Sequence, residues 1–145
     1  MSGAAIYDAF ATRLTERWTD TPIAEEGGFY QNYVEAGVQF VFWELNDISY
    51  RQISSGAPQA NYWEQHGVAK FHVMTKSGQG SRQAWVYADK LRQLFREQPL
   101  NTDNGTIIIL DLPIGADDPA EDIPNYFSIA LVVEWKRIDI TDLTP

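Results

Sequence analysis

Apolar residues recur at helical spacing near the start of the chain. Ile6, Phe10, Leu14 and Trp18 fall every fourth position, with Ala9 and Arg13 beside that ridge. The spacing predicts a helix over Ala4–Trp18. Asp20-Thr21-Pro22 stops it, because proline holds the preceding residue in extended geometry. Ile23–Gly28 reads as a loop. In Val38–Leu45, Phe40 and Phe42 alternate with Val41 and Trp43, so a strand there is apolar on both faces. Such a strand needs cover on both sides. Asn46-Asp47 reads as a turn and Ile48–Ser54 as the second strand of a hairpin. Ser55-Gly56-Ala57-Pro58-Gln59 breaks it.

Gly67–Thr75 alternates strictly. Ala69, Phe71 and Val73 face one way, and Lys70, His72 and Met74 the other. Ser77-Gly78-Gln79-Gly80-Ser81 turns the chain, with Ser81 placed to cap a helix. That helix carries Trp85, Ala88, Leu91, Leu94 and Phe95 on its apolar stripe, has Lys90, Arg92 and Arg96 toward its end, and closes at Pro99. Thr106–Leu112 is a β-branched strand, and Pro113–Asn125 a loop. Tyr126–Ile138 is the longest strand, with Phe127, Ile129, Leu131, Val133 and Trp135 on one face. Asp139–Pro145 reads as a short tail. The order α-β-β-β-α-β-β predicts an α+β fold: one mixed or antiparallel sheet of about five strands, two helices packed on one face.

Composition narrows the class. The 145 residues suffice for one domain over 1–145 with one core. Hydrophobic residues make up 44% and charged residues 21%, as in a soluble globular protein. The longest apolar runs, Ile107–Leu110 and Ile129–Val133, are too short to cross a bilayer. No basic segment followed by an apolar run opens the chain, so the sequence reads as cytoplasmic. The absence of Cys excludes disulfides, thiol catalysis and cysteine–zinc sites. Net charge is -9, and no Lys or Arg lies between Arg96 and Lys136 while eight Asp or Glu do. Asp117, Asp118, Glu121 and Asp122 sit in one short segment of that stretch. Such a chain repels polyanions and cannot hold DNA through its phosphates.

Chemistry-bearing patterns are sparse. His66 and His72 fall on one strand face about 20 Å apart, too far to share a metal. The four clustered carboxylates offer hard oxygen ligands, but their spacing is not an EF-hand loop and Pro119 interrupts it. Gly78-Gln79-Gly80 lacks the third glycine of a dinucleotide loop and the Lys of a P-loop, so it reads as a strand-to-helix turn. No G-x-S-x-G occurs. The expectation is a protein without catalytic, metal or cofactor residues. Five Trp in one small domain point to aromatic anchors at contacts as well as in the core.

A resemblance attaches to particular residues. They are Arg17-Trp18 ending the first helix, Thr21-Pro22-Ile23-Ala24, and a strand with Gly67, Phe71 and Val73. Gly78-Gln79-Gly80 follows, then a helix closing on Leu94-Phe95 and a final strand with Val132-Val133-Glu134-Trp135. Over Ile6–Arg137 this arrangement resembles the tail-terminator proteins of long-tailed, siphovirus-type bacteriophages. The segments Ser54–Gln65 and Asp117–Asp122 have no counterpart in the pattern. The resemblance implies a self-assembled ring, usually a hexamer, that caps the tail tube. The ring ends tube polymerisation at the length the tape-measure protein sets and presents a surface for the head–tail connector. It implies no catalytic residue, no cofactor, and a place in the virion at the tail–head junction after assembly in host cytoplasm. It also implies a mobile loop that orders on assembly. By position this is residues 54–65, with Tyr62 and Trp63 as contacts to subunits or tube.

Trp43 and Phe42, on the strand apolar on both faces, join these as candidate interface residues. Asp117, Asp118, Glu121 and Asp122 become a candidate acidic lumen or rim past which DNA moves without specific binding. Two alternatives stay open. One is another neck protein, for head completion or head–tail joining. The other, of a different class, is a monomeric module binding a small molecule on its sheet.

Overall fold

A computed structural model describes residues 3–25, 28, 31–53, 62–78, 81–96, 100–102, 105–116 and 126–140. The predicted first helix forms as α1 (Gly3–Arg17). Its Ile6–Phe10–Leu14 ridge faces the core, and Trp18 follows it inward, its indole N–H bonded to Thr21 Oγ1 at 3.0 Å. The expected loop after Pro22 instead holds β1 (Ile23–Glu25), paired in parallel with β2 (Phe40–Gln52). Adjacent parallel strands need a crossover. Here it contains the short helix α2 (Gln31–Ala36), which the periodicity does not signal.

β2 corrects a second expectation. Asn46-Asp47 is no turn, and Ile48–Gln52 is no separate strand. The ladder between β2 and β3 (Tyr62–Lys76) runs through Asp47↔Gly67 and resumes at Ser49↔His66, leaving Ile48 as an extra residue. A β-bulge accommodates the polar pair without ending the strand. Tyr62 and Trp63 belong to β3, so the loop expected over 54–65 stops at Tyr62; residues 54–61 lie outside the described residues. Gly78, with φ +87°, leads toward α3 (Arg82–Phe95) in a conformation side-chain-bearing residues rarely adopt.

α3 keeps its expected place but not its expected stripe. Ala84, Ala88, Leu91 and Phe95 are buried, whereas Trp85 is 45% exposed. Ser81 makes no side-chain capping bond. β4 (Leu100–Thr102), β5 (Gly105–Asp111) and β6 (Ile114–Ala116) precede β7 (Tyr126–Ile140). β7 includes Asp139 and Ile140, so the expected tail begins no earlier than residue 141.

The result is α+β with a single mixed sheet, as the pattern predicts, enlarged by three short strands. The order is β1-β2-β3-β7-β5-β4, with β6 also paired to β7. All pairings but β1–β2 are antiparallel. α1 and α3 pack together and form the layer over one face. Between helices and sheet, the Phe10 ring meets Trp43, Phe71 and Phe95. Burying each of these phenylalanines contributes about 1.5–3 kcal/mol. Arg13 of α1 donates to Leu94 O at 2.7 Å and so satisfies a carbonyl in the last turn of α3. A smaller cluster on the opposite face joins Ala24, Phe40 and Met74 under Tyr33 and Val34 of α2.

Candidate functional site

The uncovered part of the sheet is built by β2, β3, β7 and β5. Alternation sends Ala69, Phe71, Val73, Leu131, Val133 and Trp135 to the helices. The intervening residues therefore face away from them. At the α2 end that far face is covered. Toward the bulge it is not, among the described residues. Ile48 is 69% exposed, Leu110 49% and Ile108 45%. Ile48 and Leu110 line an open depression of about 380 Å³, together with Ser49, Arg51, His66, Gly67, Glu134 and Trp135. Gly67 contributes only backbone to it, and Trp135 turns its indole toward the core.

Charges around the depression are partly paired. Glu64 takes a contact from His66 Nε2 at 2.5 Å and one from Arg51 at 3.4 Å. The bond to His66 holds the Glu64 carboxyl below its ordinary range. Asp111 and Glu134 are register partners on β5 and β7, both exposed. Neither meets a cation among the described residues. Like charges placed directly opposite on a sheet destabilise it.

On the helix-facing side, beyond the apolar core, Arg137 is buried and donates to Gln65 Oε1 at 2.8 Å. Gln65 in turn donates to Asp47 Oδ1 at 2.8 Å. This chain of bonds joins β7, β3 and β2 just before the bulge. It gives the buried guanidinium a partner at Nη2, and nothing about it requires a substrate.

The predicted interface residues divide. Trp43 is 1% exposed, stacked between Tyr7 and Phe71, which removes it from any surface. Phe42 faces away from the helices, half-buried beside the α2 cluster, its ring 5.8 Å from His72. Trp63 is half-buried and stacked on Tyr50 at 5.3 Å, and its neighbour Tyr62, the first residue of β3, is exposed. These positions are not brought together as one patch. Asp117, Asp118, Glu121 and Asp122 lie outside the described residues. His66 and His72 share a strand face, each beside a different glutamate, and no cluster of three metal-ligating side chains occurs among the described residues. No described helix is long and apolar enough to cross a membrane.

Sequence reasoning missed Ile48, Leu110 and Trp85 as surface residues. Ile48 looked like ordinary strand filling until the bulge set it apart. Trp85 sits one position past Ala84, and the apolar spacing of α3 accommodates either.

No protein-family model matches the chain, and no curated protein matches it. Solved structures do match. One of them, which carries no functional name, shares 18% identity and superposes with a TM-score of 0.65. The match covers 100% of this chain and 99% of that one. At that identity the likeness establishes the fold alone.

Proposed function

We propose that the protein is a virion structural component of a long-tailed bacteriophage, a tail terminator that assembles as a ring on the tail tube. The carrying observation is the half-covered sheet: Ile48, Ile108 and Leu110 stand exposed on a broad β surface, and subunit contact is the ordinary means of covering such a surface. The order of elements that resembles the terminator family supports the reading. In it, the ring stops addition of tube subunits, its other side receives the head–tail connector, and DNA passes through the centre. An acidic chain suits that passage, because it gains nothing from phosphate contacts.

The test adds purified protein to polymerising tail-tube subunits. The expected result is tubes of arrested length with a ring at one end in negative-stain images. Tubes that grow unchanged, with no ring attached, overturn the role.

The depression beside Gly67 favours a second reading, a monomeric module that binds a small molecule there. Its openness to solvent counts against it, since small-molecule sites enclose most of their ligand. A chain that stays monomeric, leaves tubes alone and retains a small molecule through purification would establish this reading.

A further inference from the structure

We infer that copies of this chain join head to tail, with Trp85 of one copy seated between Ile48 and Leu110 of the next, and Arg82 beside it facing Glu134 and Asp111. The inference rests on the ring-forming reading and supplies the contact that reading lacks.

Two surfaces on opposite sides of the molecule fit each other. Trp85 stands on the outward flank of α3, in the helix layer. The depression lies on the sheet face turned away from that layer. Trp85 therefore cannot reach its own chain's depression. A two-fold pair that seats both indoles would have to bring both faces of each molecule against one partner. A contact between different surfaces instead propagates, and it closes into a ring when the rotation per step allows. Aromatic side chains in desolvated pockets supply most of the energy of such contacts.

Charge fixes which copy lies opposite. The chain's net charge is -9, yet α3 and the residue after it carry Arg82, Lys90, Arg92 and Arg96 against Asp89 alone. Lys90 is engaged with Asp20 at 2.7 Å. Arg82 makes no ion pair among the described residues, is exposed, and lies one helical turn before Trp85. Across the depression, Asp111 and Glu134 are register partners that meet no cation among the described residues. An arginine from a second copy relieves that repulsion, and a guanidinium can bond both carboxylates at once. A partner of other chemistry would have to bring both the ring and the cation that α3 already presents.

The chain has no cysteine, so introduced thiols report unambiguously. Arg82→Cys and Glu134→Cys are made separately, mixed under mild oxidation, and compared with each variant alone. The expected result is a covalent dimer in the mixture and none in either variant alone. The double variant should give a ladder of covalent oligomers, and Trp85→Ala in that background should abolish it. Dimers from one variant alone, or no crosslink in the mixture, overturn the contact. A ladder together with unaltered tube length keeps the contact and refutes the terminator role. Arrested tubes without a ladder keep the role and refute the contact.

Discussion

A methyl group at Gly67 has no room. A Cβ there would stand 2.3 Å from Trp135 Cζ2 and 2.4 Å from the backbone oxygen of Asn46. The indole is fully buried and the carbonyl belongs to the strand beside the bulge, so neither yields cheaply. Gly67→Ala is expected to cost about 3 kcal/mol, the upper range for overpacking, read as a lowered denaturation midpoint. A midpoint within error of the parent would mean that Trp135 is not held where the fold places it. Tyr126 offers a test in pH. Burial raises its phenol above the ordinary value, and its hydroxyl donates to Val38 O at 2.6 Å. A raised folded value means stability that is complete below the unfolded phenol value, about 10, and lost as pH climbs through the folded one. Tyr126→Phe should remove a phenol that titrates above the ordinary value from the ultraviolet phenolate titration and lessen the alkaline loss of stability. Individual side chains were legible where periodicity had a single solution, as at Phe10, Phe71 and Leu131. They were not where two neighbours satisfy one stripe. Ala84 lies against the sheet while Trp85 is half out, and both fit the same spacing.

Among the elements, α1, α3, β5, β7 and the Gly67–Thr75 part of β3 follow from apolar spacing, because each has a strong period and a punctuated end; Tyr62–Gln65, read as loop, extends β3 by pairing with β2 and β7. β1, β4 and β6 are three residues each, too short for a period to show; they exist because longer neighbours offer them a ladder. The bulge at Ile48 was read as a turn because Asn-Asp is turn chemistry, and tertiary pairing with β3 overrode that preference. Ser81 shows the opposite error: good capping chemistry that goes unused. Ser81→Ala should therefore change stability by no more than about 0.5 kcal/mol, against about 1 kcal/mol for a working cap. Thermal or denaturant unfolding decides between the two, and a full cap-sized loss would mean that the hydroxyl does bond the helix end.

At the scale of the molecule, the α+β class and the single sheet were legible, since the order of long elements leaves few layered arrangements. The proposed interaction surface was not, because it depends on which sheet face the helices leave bare. The terminator reading entered by resemblance, and the fold is compatible with it without being peculiar to it. If head-to-tail contact uses Arg82 and the Asp111–Glu134 pair, association should weaken as salt rises through the range where charges more than about 10 Å apart are screened. Sedimentation at several ionic strengths measures this, and association that strengthens with salt would point to apolar contact alone. β7 carries a different consequence. It is bonded to β3, β5 and β6, yet it follows all of them in the chain. A nascent polypeptide leaving the ribosome accumulates both helices of the main layer and six strands before the one that unites them. Closure over such sequence distances is slow. Until Tyr126 onward is synthesised, the inner edges of β3 and β5 have no mate, and a foreign strand would find them as inviting as the native one.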